Sequence, residues 1–183
     1  MFGHRKTNKL IEDIDRYFDL MDQALLVFKS GVRNYLYSNK DEFNENLMRM
    51  SATDSEAGVL RREIENALYT QTALVRSRGD IMRLLEKTRN ITDILNDSLF
   101  QFEIETPFIP SELNQEFMKL TEFSTLAVEA VIPAARAYFC WRYPPLAKGI
   151  LITTVESVCS TTSKTKSFVL IYTGSSWFAM TSL

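Results

Sequence analysis

The chain reads as an all-α protein, an antiparallel bundle of long helices. Apolar residues recur at steps of three and four over segments of nearly thirty residues, the spacing of one helix face. Short polar turns join those segments, as in antiparallel bundles. No Gly-rich loop follows a strand pattern and no strand–helix alternation appears, so neither a phosphate loop nor a dinucleotide fold is supported. With 183 residues, 45% hydrophobic and 24% charged, the chain is long enough to bury a core.

The first helix is expected over roughly Thr7 to Leu36, where Leu10, Ile14, Tyr17, Met21, Leu25, Phe28, Val32 and Tyr35 form one stripe. The turn "SNKDEF" follows, with Ser38, Asn39 or Asp41 available to cap the next helix. The second helix is expected over about Asp41 to Tyr69, its stripe running Phe43, Leu47, Met50, Asp54, Ala57, Arg61, Ile64, Leu68. The third runs from near Ser77 to near Phe102, with Ile81, Leu84, Thr88, Ile91, Leu95, Ser98 and Phe102 inward. Pro107 and Pro110 stop it. Ser111 is placed to cap a fourth helix carried by Leu113, Phe117, Leu120, Ser124, Ala127, Val131 and Tyr138, with Pro133 inside it and expected to kink it.

The tail has another character. Both cysteines, Cys140 and Cys159, and both tryptophans, Trp141 and Trp177, fall after Phe139. Residues 140–183 hold one acid, Glu156, against 22 before them, and the net charge shifts from −5 to +3 across that point. Tyr143-Pro144-Pro145 breaks a continuing helix, and the Ser/Thr/Val/Ile-rich remainder favours strand or coil. Two parts are therefore expected: a helical domain at 1–139 and a divergent, low-order tail at 140–183.

The whole chain carries −2 and no long Lys/Arg run, which argues against nucleic acid as a partner. Two cysteines at unrelated spacing fit a reducing cytoplasm. The N-terminus lacks the apolar core of a signal peptide, and no apolar run approaches the ~18 residues that span a bilayer.

A rotation of 100° per residue puts Asp54 near the centre of the second helix's apolar stripe, with Arg61 and Glu65 on the same face. A carboxylate there must be paired or bound to a cation. Asp80 flanks the inner stripe of the third helix, and two inward carboxylates on neighbouring helices suit Mg²⁺, Mn²⁺ or Fe. The structural alternatives are an ion pair of Asp54 with Arg61, Arg62, Arg78 or Arg83, and a capping box of Ser77 with Asp80. "RSRGD" (Arg76 to Asp80) is either an anion site at a helix start or a solvated charge cluster. His4 is the only histidine, which excludes a ferritin-like di-iron centre and leaves no ordinary triad.

The segments "KTNKLIEDIDRYFDLM", "EAGVLRREIENALYTQ", "RGDIMRLLEK" and "QFEIETPFIPSELNQEFMKLTEFSTLAVEAV" resemble the PhoU-like family of phosphate transport regulators. The resemblance is closer to the branch that accompanies low-affinity inorganic phosphate transporters, and it covers residues 1–139. It implies an all-helical fold of two three-helix repeats, cytoplasmic and peripheral to the membrane transporter. It also implies metal clusters held by acids spaced Glu/Asp-x-x-x-Asp. Asp54 matches the first acid of the second helix, but Gly58 replaces the closing one. On the third helix Asp80 and Asp93 match, while Arg89 or Asn90 stands where an Asp is common. Asp54, Asp80 and Asp93 are thus the surviving ligands the resemblance implies for a divalent metal or iron, in a weakened site. A fifth and sixth helix should follow Phe139, so the second repeat is incomplete. The break predicts a change of coding frame near Cys140. Translation of the other two frames tests it, and the idea fails if neither gives a charged amphipathic continuation.

The expected function is that of a non-enzymatic accessory protein, docking a helical bundle onto a membrane phosphate transporter. Its alternative is a ligand-free helical interaction module or a non-functional truncated family member, in which Arg61 pairs with Asp54. Uncovered apolar stripes predict association into homo-oligomers or marginal stability.

Overall fold

The structure, a computed structural model, describes the backbone of residues 2–70, 78–142, 169–173 and 176–180, and the side chains of 9–70 and 78–137. Its elements are α1 (Phe2–Leu36), α2 (Lys40–Thr70), α3 (Arg78–Glu105), α4 (Asn114–Arg142), β1 (Val169–Thr173) and β2 (Ser176–Met180), with a 3₁₀ turn at Ser111–Leu113. The long helices are the all-α architecture the periodicity predicts. The strand preference of the tail surfaces as an antiparallel hairpin, Val169 opposite Met180 and Thr173 opposite Ser176. Residues 143–168, including Cys159, lie outside the described residues.

The chain divides into two compact units, Met1–Asn114 and Gln115–Leu183. The composition break at 139/140 lies inside α4, which runs on to Arg142.

The first unit is an up-down-up arrangement of three helices. Contacts at both ends and in the middle fix the directions. Arg16 pairs with Glu56, and Asn34 Nδ2 donates to Asn46 Oδ1 at 2.8 Å, so α1 and α2 are antiparallel. The Arg78 guanidinium lies 5.0 Å over the Tyr69 ring and Arg89 reaches Asp54, so α2 and α3 are antiparallel as well. The core takes Leu10, Ile14, Tyr17, Phe18, Met21 and Leu25 from α1, Met50, Ile64 and Leu68 from α2, and Ile81, Leu85 and Leu99 from α3. Burial of each such side chain contributes about 1.5–3 kcal/mol. Close approach of α1 and α3 depends on Gly31, where a Cβ would stand 2.8 Å from Leu99 Cδ2.

The inner face of α2 differs from the sequence reading. Ala57 is buried as expected, but Thr53 and Leu60 are buried beside it, while Asp54 and Arg61 sit at its flank. On α3 the buried line is Ile81, Leu85, Thr88, Thr92, Leu95 and Leu99, turned by about one residue from the expected one. Its threonines are satisfied locally: Thr88 Oγ1 donates to the Leu84 and Leu85 carbonyls, and Thr92 Oγ1 to the Thr88 carbonyl.

Turns and loop ends are tied to the bundle. The α1–α2 turn is a Schellman motif: Asn39 N–H donates to Asn34 C=O at 2.9 Å and Ser38 N–H to Tyr35 C=O at 3.1 Å. Asn39, one of the expected caps, occupies the position before α2, and its carbonyl accepts from Phe43 N–H. After α3, Tyr35 Oη donates to Pro107 C=O at 2.8 Å. Asn114 Nδ2 donates to Leu36 C=O at 3.0 Å, satisfying a carbonyl that the end of α1 leaves free. Ser111 does not cap a helix. It opens the 3₁₀ turn after Pro110, where no side-chain cap hydrogen bond forms, and the Pro110 carbonyl accepts from Leu113 N–H.

In the second unit α4 contains Pro133 and continues through it. Met118, Thr121, Thr125, Ile132 and Ala135 form its buried face. Thr121 and Thr125 return their hydroxyl protons to the carbonyls of Phe117 and Thr121.

Candidate functional site

Midway along the first unit, α2 and α3 meet through charge. Asp54 projects from α2 at the edge of the core, one residue from buried Thr53. Arg89 projects from α3 one residue after buried Thr88. The guanidinium bridges two helices: its Nη2 lies 3.4 Å from Asp54 Oδ1, and its Nε donates to Asp93 Oδ1 at 2.7 Å, one turn further along α3. Asp54 Oδ1 is buried and has no directional hydrogen bond, so the cross-helix contact is an ion pair without one.

Gly58 is what admits the guanidinium. It lies one turn after Asp54 on the same face of α2, and a Cβ built there would stand 2.8 Å from Arg89 Nη1. Below 3.0 Å something must shift. The glycine that the sequence presents as a lost acidic ligand is thus also the space in which a cationic side chain lies.

Electrostatics follow from this packing. Burial pushes the Asp54 carboxyl up, Arg89 pulls it down, and the negative charges of Asp93 and Asp97 push it up again. Burial lowers the Arg89 guanidinium, yet its hydrogen bond to Asp93 and the charges of Asp54, Asp93 and Tyr17 more than offset that, leaving it raised. Tyr17 of α1, 0% exposed, closes the inner side. Its hydroxyl lies 3.4 Å from the Leu85 carbonyl, and burial drives its pKa up against a Thr88 hydrogen bond and the charges of Arg89 and Arg61.

Of the three implied ligands, the structure brings two together. Asp54 and Asp93 share the Arg89 guanidinium. Asp80 sits exposed in the first turn of α3, thirteen residues before Asp93. At 1.5 Å per residue that is about 20 Å along the axis, so no single ion contacts both. Asp80 instead stands where an acid favours the helix dipole. Ser77, its proposed capping partner, lies outside the described residues, as do Arg76 and the side chain of His4. Among the described residues no group of three or more His, Cys, Asp or Glu is arranged to hold a metal ion.

The expected partners of Asp54 are also corrected. Arg61 Nη1 pairs with Glu65 Oε1 at 2.8 Å. Arg61 is seven residues, about 10.5 Å of rise, from Asp54, too far for a direct pair on one helix, whereas Glu65 is one turn away. Arg78 stacks over Tyr69. Arg89, which the sequence showed only as a departure from an acidic pattern, is the partner sequence reasoning missed. Its spacing of four from Asp93 signals the pair within α3 but not the reach across to Asp54.

The chain is similar to two curated proteins. It is 27% identical over 124 residues to a UPF0111 protein of Pyrococcus horikoshii, covering 68% of this chain and 58% of that one. It is 24% identical over 138 residues to a UPF0111 protein of Thermotoga maritima, covering 75% of this chain and 64% of that one. The chain therefore spans about three fifths of the length of these relatives, and their name states no activity, substrate or partner. No protein-family model matches the chain, and no solved structure does. Among the described residues no helix is long and apolar enough to cross a membrane.

Proposed function

We propose that the chain is a non-enzymatic accessory protein that works by docking its helical bundle onto a partner at the inner face of the membrane. The partner class is an inorganic phosphate transporter, as the resemblance of residues 1–139 implies. The observation that supports the docking reading is the Asp54–Arg89–Asp93 bridge. Acids at the α2–α3 seam are paired with the chain's own guanidinium, which ties two helices together. A divalent metal or iron remains the candidate cofactor, held by Asp54 and Asp93, and it would have to displace Arg89 to bind. We therefore place Arg89 as the resident cation of the unloaded protein.

Affinity capture from membranes containing an inorganic phosphate permease tests this reading, together with phosphate uptake in cells lacking the chain. Retention of the permease and an altered uptake rate are expected. If the permease is not retained and uptake is unchanged, the reading is wrong.

A further inference from the structure

We propose that the open groove between α2 and α3 is a docking site for one basic, amphipathic helix of a partner protein. The inference rests on the docking reading above and names the surface and the chemistry of what fills it. The groove is about 640 Å³, lined by Asn44, Met48, Ser51 and Ser55 of α2 and by Phe100 and Glu103 of α3. Asn44 to Ser55 is eleven residues, about 17 Å or three turns of helix, which is the contact length of a short helix lying along the seam.

Three features select a helix of that kind. Ser51, Ala52 and Ser55 are small and exposed, so a helix backbone can approach to the near end of the usual 8–10 Å interaxial range. Met48 is 68% exposed beside them, and Phe100 is half-buried across the groove, so the walls offer apolar contacts. The charge of the seam is negative. Glu103 lines one end. Asp97, one turn before Phe100, lies close enough to Asp54 to raise its pKa. Neither Asp97 nor Glu103 forms an ion pair among the described residues. Further along, Arg89 is one positive charge shared between two carboxylates. An apolar stripe flanked by Lys or Arg complements this surface. A twofold pairing of two copies through the same groove would set these acids against each other, which disfavours a second copy as the occupant. The groove runs on through Asn44 and Glu103 into a cavity of about 530 Å³, lined by one cation, Lys40, and by Phe108, 92% exposed, where an apolar anchor of the partner would finish.

The test uses the full chain and labelled synthetic helical peptides of about 18 residues, one Leu/Lys amphipathic and one Leu/Glu. Fluorescence anisotropy is expected to show saturable binding of the Leu/Lys peptide only. The double variant Asp97→Lys/Glu103→Lys should weaken it at least about tenfold, and Ala52→Trp, which fills the groove, should do the same. Leu26→Lys, on an exposed position of α1, should leave the affinity within about twofold. Equal binding of the two peptides, or Leu/Lys affinity indifferent to the charge reversal, overturns the proposal. If Ala52→Trp does not fold, the charge-reversed variant decides alone. A dimer by light scattering that Ala52→Trp disperses assigns the groove to a second copy and also overturns it. Permease capture that survives the charge reversal refutes the groove but not the proposed function. Peptide binding in the groove without permease capture refutes only the function.

Discussion

The Arg89 guanidinium occupies the space that Gly58 leaves on α2, with Nη1 2.8 Å from where a Cβ would be. The two residues should therefore be energetically coupled. Arg89→Ala strands Asp54 Oδ1 in a buried position without a cation and is expected to cost about 1–2 kcal/mol. Gly58→Ala gains about 1 kcal/mol of helix propensity but displaces the guanidinium, so alone it should lie within about 0.5 kcal/mol of neutral. In the Arg89→Ala background the gain should appear in full. Urea denaturation of the four proteins gives the coupling directly. Equal effects of Gly58→Ala in both backgrounds would show that the space is not used.

The same pair bears on metal. Gly58→Asp combined with Arg89→Ala removes the internal cation and adds a carboxylate one turn from Asp54, in the space the guanidinium leaves. This double variant should gain several degrees in Tm with excess Mn²⁺, since ligand binding to the folded state stabilises it by mass action. The native protein should shift less, because an ion must first displace Arg89. A native shift as large as the variant's would mean that Arg89 does not stand in for the cation.

Much of the fold was legible because helix periodicity needs no partner. Leu10, Ile14, Tyr17, Met21 and Leu25 read as one stripe and are buried as one. The end of α1 at Leu36 and the stop before Pro107 followed from turn chemistry. The site was legible only in part. A helical wheel put Asp54 and Arg61 on one face, but it does not say which residue of α3 faces them. That depends on the rotation of α3 in the bundle, which set Leu85 and Thr92 inward in place of Leu84 and Ile91 and so aimed Arg89 at Asp54. Gly58 read as a missing ligand because its consequence is empty space, which appears only when the neighbouring helix is in place.

Tyr17 gives a pH prediction. Its phenol is fully buried, and burial raises its pKa above the ordinary 10.0 despite Thr88, Arg89 and Arg61. A raised folded pKa means that the folded chain holds the proton where the unfolded chain releases it. The stability contributed by neutral Tyr17 is present below pH 10 and is lost as pH rises through the folded value. Tyr17→Phe should cost up to about 1 kcal/mol at pH 7, from the lost hydroxyl contacts. Above pH 10 that difference should shrink and then reverse. Urea midpoints of both proteins at pH 8 and pH 11 read the change, and a constant difference across that range would count against a buried neutral phenol.

Ser38 terminates α1 in the left-handed region, with φ of 60°, at the position where a Schellman motif favours glycine. A non-glycine residue held there costs about 1–2 kcal/mol, tempered for serine by its small side chain. Glycine removes that cost but widens the unfolded ensemble, which offsets part of the gain. Ser38→Gly should therefore stabilise the protein by about 0.5–1 kcal/mol, read as a higher urea midpoint at unchanged slope. Ser38→Val should destabilise it, because a β-branched side chain tolerates positive φ least. The motif also explains why the gain should be confined to stability. Ser38 only redirects the chain so that Asn39 N–H reaches Asn34 C=O and α2 starts antiparallel to α1. A loss of stability in Ser38→Gly would mean that the serine side chain makes a contribution larger than the backbone strain it carries.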